Sequence, residues 1–197
     1  MIRIQPDYTI RTKYTKGHER TLPVKYVVVH GTGGGKTSNG IIRWMNAPEP
    51  KRVSWYKRGI ALFHYIIDRD GTIKEIIDPK YWVYHCSIGK MDAGTIGIEL
   101  MNPSSANKEP YTELQYYALR NLIIHLKTGE YADIKEIFSH RYAKQIIGKG
   151  KRKNCPGNFD WEKFCLSFQN IEFSEKCVVT QVNKGEKDRL LLNDVIQ

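Results

Sequence analysis

The sequence predicts an α/β fold, a mixed central β-sheet flanked by helices. Three observations carry that expectation. β-Branched and aromatic runs ended by glycine or turn residues recur along the chain and read as strands. Stretches with apolar residues at helical spacing, opened by capping residues, lie between them. The order of these elements is mixed, so helices packed on a mixed sheet follow. At 197 residues, 41% hydrophobic and 26% charged, the chain has the size and balance of one ordinary domain, and disordered or collagen-like classes are excluded.

Taken in order, Val-Lys-Tyr-Val-Val-Val-His over residues 24–30 is a buried strand ended by glycines. Ser38 N-caps a short helix through Met45, which Pro48 and Pro50 stop. Residues 63–68 and 73–77 are two strands joined by an Asp70-Gly71 turn, a hairpin signal. Residues 95–100, Thr-Ile-Gly-Ile-Glu-Leu, form a further strand. Thr112 and Gln115 make a capping box that opens a helix to about Lys127, with Leu114, Ala118, Leu119, Leu122 and Ile123 on its apolar face. Residues 134–139 read as a strand and residues 160–166 as a short terminal helix. The composition changes beyond Asn170, so residues 1–170 are expected as one domain and residues 171–197 as an appendage without a readable motif.

Lysine and arginine total 31 against 21 acidic residues, a net charge of +10. Such an excess implies an anionic partner: nucleic acid, phospholipid headgroups or an anionic cell wall. Nucleic acid would rest on charge alone, because basic and aromatic residues do not interleave on one expected face. The longest apolar runs, residues 26–29 and 122–124, fall far below the roughly 20 residues of a membrane span. The N-terminus has no apolar stretch fit for a signal-peptide core, so cytoplasmic synthesis is expected. Cys86, Cys155, Cys165 and Cys177 are too sparse for a disulfide scaffold and are expected as free thiols.

Residues 30–37, His-Gly-Thr-Gly-Gly-Gly-Lys-Thr, follow a strand and look like a phosphate-binding loop. The pattern requires glycine five residues before Gly35-Lys36-Thr37, and His30 stands there instead. The remaining glycines could still form an anion-binding nest, but no second nucleotide motif follows. His30 itself is the better candidate. It ends a strand, as does His140, and Cys155 follows the basic loop 144–153 and precedes Pro156-Gly157. Two imidazoles and a thiolate make a three-ligand zinc site with one position open, although their long spacing alone is not diagnostic.

The surrounding segments are more specific. Tyr-Val-Val-Val-His30, Phe63-His-Tyr-Ile-Ile-Asp-Arg-Asp-Gly-Thr72, Thr95-Ile-Gly-Ile-Glu-Leu100, Phe138-Ser-His140 and Lys153-Asn-Cys-Pro156 occur in that order. Together they resemble the zinc N-acetylmuramoyl-L-alanine amidases of the amidase/peptidoglycan-recognition superfamily, phage endolysins included, from about residue 24 to 165. The resemblance implies an amidase/peptidoglycan-recognition-like fold with the catalytic domain within residues 1–170. It implies zinc as cofactor, held by His30, His140 and Cys155, with Lys153 stabilising the oxyanion. Glu99 matches the catalytic glutamate of the cytosolic recycling branch, and His64 and His85 fall where substrate contacts are expected. One departure matters: the catalytic tyrosine of phage-type members is replaced by Phe63, which cannot exchange protons. Tyr65 lies two residues on, displaced along the strand, so the base is expected at Glu99 with Tyr65 as the alternative.

The implied reaction is cleavage of the amide between N-acetylmuramic acid and L-alanine, with peptidoglycan or muropeptides as substrate and the anionic wall surface as partner. The charge favours a phage-type endolysin, expected as a monomer that reaches the wall at lysis. A cytosolic muropeptide-recycling amidase and a non-catalytic peptidoglycan-binding module are the alternatives. Non-catalytic relatives usually lose a metal ligand, and here all three candidates stand.

Overall fold

A computed structural model describes residues 3–7, 18–46, 63–86, 89–147, 154–168, 177–178 and 189–194. Along the chain run β1 (Ile4–Pro6), β2 (His18–Glu19), β3 (Tyr26–Gly31), α1 (Ser38–Asn46), β4 (Tyr65–Ile67), β5 (Ile73–Glu75) and β6 (Tyr81–Trp82). Then follow α2 (Gly89–Ala93), β7 (Thr95–Leu100), α3 (Glu113–Thr128), β8 (Glu136–Ser139), α4 (His140–Ile146) and α5 (Trp161–Leu166). The last elements are β9 (Cys177–Val178), β10 (Arg189–Leu191) and β11 (Asn193–Asp194).

Val27, Val28 and Val29 are fully buried, as a central parallel strand covered on both faces requires. β3 accordingly runs parallel to β7 on one side and β8 on the other, and β4 extends the parallel set beyond β7. β4 and β5 form the expected antiparallel hairpin, closed by a bond from the Asp68 N–H to the Thr72 carbonyl at 2.9 Å and by Gly71 at φ +82°. β1 joins the edge at β5 in parallel, giving a seven-stranded mixed sheet in the order β1-β5-β4-β7-β3-β8-β10. The fold is therefore the expected mixed sheet with helices packed on it.

Alternation along the strands sorts the core into two faces. Val27, Val29, Tyr65, Ile67, Ile96 and Ile98 pack against α3 and α5 through Leu119, Leu122, Ile123 and Phe164. On the other face, Ile66 packs with Phe63 and with Ile42 and Met45 of α1, while Val28 and Phe138 pack against Ala143 of α4. His30 has the alternation of Val28 and so faces the α1 and α4 side.

One expectation needs correction. Leu114 is exposed, at the edge of the buried stripe formed by residues 115, 118, 119, 122, 123 and 126. Gln115 takes the inward place, where its Nε2 donates to the Met101 carbonyl at 2.9 Å and the Ile67 carbonyl at 3.3 Å. A carboxamide wins there because it supplies a donor to the buried Met101 carbonyl and a second one to the Ile67 carbonyl, which also accepts from the Met101 N–H. In the C-terminal segment set apart as an appendage, β10 pairs antiparallel with β8 and Leu192 is buried in the α3-side core. Among the described residues, no helix is long and apolar enough to cross a membrane.

Candidate active site

His30, His140 and Cys155 come together at the C-terminal ends of β3 and β8, with their ligand atoms all within 4.8 Å of one another. His30 Nδ1 lies 3.1 Å from His140 Nδ1 and 4.0 Å from Cys155 Sγ. Ligand atoms at tetrahedral angles around zinc stand roughly 3.3–3.6 Å apart, so these two spacings lie within about half an ångström of that geometry. Both histidines are buried, whereas Cys155 is partly open to solvent.

Each ligand is placed by local chemistry. Sheet register holds His30 opposite Glu99. His140 is the first residue of α4, whose N-cap Ser139 accepts from the Tyr142 N–H at 2.8 Å. Cys155 is tied to that same turn, because the Arg141 N–H donates to its carbonyl at 3.0 Å. The Gly31 N–H also donates to its Sγ at 3.4 Å, and the Tyr111 hydroxyl donates to the Pro156 carbonyl at 2.7 Å. Gly157 sits at φ +71°, where an added Cβ would stand 2.5 Å from the Asn107 carbonyl oxygen, so this turn accepts only glycine.

His85 and His64 lie behind the ligands. His85 Nδ1 is 3.0 Å from His30 Nε2, and its Nε2 is 2.7 Å from Thr95 Oγ1. The buried Asp92 carboxylate receives the main-chain N–H groups of His85 and Cys86 at 3.1 and 2.7 Å. Burial holds the His85 imidazole well below its ordinary pKa, with His64, His140 and Arg20 adding to the effect. His64 accepts from the Gly97 N–H at Nδ1, 2.9 Å away, so its Nε2–H donates to the Tyr81 carbonyl at 3.0 Å. Burial pushes the His64 pKa down to about 3, assisted by the adjacent Arg20 guanidinium. Arg20 in turn donates to the Ala93 and Thr95 carbonyls. The structure thus places His64 and His85 inside the protein, with their ring nitrogens engaged.

The two candidate bases separate cleanly. Glu99 is half-buried, in register with His30 and on the same face of the sheet. Tyr65 points to the opposite face, into the α3-side core, where burial and Glu75 raise its hydroxyl pKa above the ordinary value. Phe63 is buried beside α1. Lys153 lies outside the described residues. In the glycine loop the N–H groups of Gly31, Thr32, Gly33 and Gly34 are bonded to Cys155 Sγ, the Leu100 carbonyl, Asn107 Oδ1 and the Asn102 carbonyl, so these four are not offered to an anion. Cys165 is a core thiol, pushed up to about 12 by burial. The Thr95–His85 contact had one sequence signal: Gly97 breaks an apolar strand because a Cβ there would meet the His85 ring at 2.6 Å.

A His-His-Cys trio beside a carboxylate, at the C-terminal edge of a mixed sheet, is a set of side chains that suits a metal ion. The chain belongs to the Amidase_2 family, N-acetylmuramoyl-L-alanine amidase, which matches residues 20–158. Its reaction is hydrolysis of the amide that joins N-acetylmuramic acid to L-alanine in peptidoglycan. The fold is similar to that of the N-acetylmuramoyl-L-alanine amidase LysC from Clostridium intestinale URNW, with TM-score 0.63 and 19% identity over 85% of this chain and 97% of that one. It is similar too to the Ph2119 endolysin from Thermus scotoductus MAT2119 bacteriophage Ph2119, with TM-score 0.60 and 16% identity over 83% and 97%. A third similar structure is the ectodomain complex of peptidoglycan recognition proteins LCa and LCx bound to tracheal cytotoxin, with TM-score 0.55 and 16% identity over 71% and 85%. No curated protein sequence gives a significant match.

Proposed function

We propose that this amidase uses a zinc ion held by His30 Nδ1, His140 Nδ1 and Cys155 Sγ, with Glu99 as general base, and that it is a phage-type endolysin. The convergence of three ligand atoms within 4.8 Å beside Glu99 carries the reading. When bound, zinc supplies a Lewis acid that lowers the pKa of water toward about 7 and polarises a carbonyl. Glu99 takes a proton from the attacking water and delivers it to the leaving L-alanine nitrogen. Lys153, two residues before Cys155 in sequence, meets the charge that develops on the carbonyl oxygen, an interaction worth roughly 3 kcal/mol where one such donor is lost. Residues 1–170 are read as the catalytic unit. The endolysin setting draws support from the fold's similarity to a bacteriophage endolysin and from the +10 charge, which suits an anionic wall.

Metal analysis tests the centre. Purified protein is expected to carry about one zinc per chain, in line with a three-ligand catalytic site. Cys155→Ser should lose metal and activity together, because a neutral hydroxyl is a far poorer zinc ligand than a thiolate. Full zinc occupancy in Cys155→Ser would remove Cys155 from the site. Cys155→Asp should retain part of both, since a carboxylate is also a competent ligand.

A further inference from the structure

We infer that His85 is a positioning residue which, with Thr95, fixes the tautomer and orientation of His30 through a one-way hydrogen-bond chain. The direction follows from the chain's far end. The Asp92 main-chain carbonyl can only accept, and Thr95 Oγ1 lies 3.3 Å from it, so the hydroxyl proton is spent there. The same hydroxyl then accepts from His85 Nε2–H at 2.7 Å. A neutral imidazole protonated at Nε2 has a bare Nδ1, and His85 Nδ1 faces His30 Nε2 at 3.0 Å. His30 must therefore donate from Nε2, which leaves its Nδ1 lone pair bare. That Nδ1 is the atom directed at His140 and Cys155.

The rest of the surroundings serve the same geometry. Asp92 holds the main chain of His85, and its Oδ1 stands 3.9 Å from His85 Nε2, favouring the proton on that nitrogen. Gly97 leaves room for the ring. Thr95 is fully buried at the start of β7, so water does not compete for its hydroxyl. A partner that fixes a ligand histidine in this way typically changes metal affinity by roughly 10–100-fold.

The inference rests on His30 being a metal ligand, and the experiment separates the two ideas. Thr95→Val removes the hydroxyl while keeping the branched shape, and Thr95→Ser restores it. Zinc dissociation constants, measured by chelator competition, should rise roughly 10–100-fold in Thr95→Val and stay near wild type in Thr95→Ser. Long-range proton–nitrogen spectra of the metal-free protein should show His30 and His85 as Nε2–H tautomers in wild type and in Thr95→Ser. Wild-type affinity in Thr95→Val would overturn the chain, and so would a His30 protonated at Nδ1 in metal-free wild type. Should wild type bind no zinc, the proposed centre falls, while the tautomers still decide the chain. Two zinc ions per chain, one of them lost in Cys86→Ser, would also overturn it, because His85 Nδ1 would then be a ligand.

Discussion

Glu99 owes its place to strand register. It pairs with His30 across β3 and β7, and paired residues on adjacent parallel strands are about 4.8 Å apart with their side chains on one face. Tyr65 pairs with Ile98, one residue earlier on β7, and that single step puts it on the opposite face. Glu99→Gln should therefore keep the fold and bound zinc but lower turnover of a soluble muropeptide at least about a hundredfold, the low end of general-base effects. Tyr65→Phe should leave turnover close to wild type. The reverse pattern would move the base to Tyr65. The candidate ligands His30, His140 and Cys155 stood out in the sequence at strand ends and before a proline, and the five ordered segments that resemble the amidases singled them out. The roles of His64, His85 and Thr95 were not legible there. Their partners are main-chain groups and side chains 10 to 55 residues away, and no local pattern encodes which ring nitrogen meets which carbonyl.

Among the elements, those with a strong local period were the readable ones: β3, the β4–β5 hairpin, β7, β8 and the capped helix α3. The edge strands β1 and β10, with three residues each, are too short for alternation to show, and the two-residue pair β2–β6 carries no signal at all. β2 and β6 are held in part by Arg20, which spans from the end of β2 to the carbonyls of Pro79, Ala93 and Thr95. This buried polar layer gives the fold a pH dependence. His64 is neutral in the folded protein, with a pKa lowered from 6.5 to about 3; its surroundings are Arg20, the more distant Asp78 carboxylate, the His85 ring and the Tyr81 and Gly97 main chain. Above pH 6.5 neither the folded nor the unfolded His64 binds a proton, so stability is flat with respect to this group. Below it the unfolded chain takes up a proton that the folded state refuses, and stability falls until pH nears 3. The expected loss from this group is about 2 kcal/mol between pH 7 and pH 5. Urea unfolding at the two pH values checks it, with His64→Gln as the comparison that should show a shallower slope. His64 ring resonances that titrate near pH 6.5 in folded wild type would contradict the assignment.

For the molecule as a whole, the net charge of +10 is the largest feature that neither the fold nor the reaction requires. The proposed mechanism uses one cationic side chain, Lys153, among 31 lysines and arginines. An excess of this size draws a protein to an anionic surface through forces screened over about 8 Å at physiological ionic strength. The chemistry beside the buried histidines is screened far less. Added salt should therefore depress activity on intact sacculi while cleavage of a small soluble muropeptide stays nearly flat. Lys149, Lys151 and Arg152 precede the Lys153 and Cys155 positions in sequence without matching a catalytic role. Replacing these three by glutamine should weaken sacculus binding and spare the small substrate, and Lys153 must be kept, because its loss should damage both reactions. Sedimentation of protein with sacculi across a salt series measures the first effect, and release of peptide from the soluble muropeptide measures the second. If salt slowed both substrates equally, the charge would be acting at the site itself, and the soluble-substrate recycling enzyme would become the better account of this amidase.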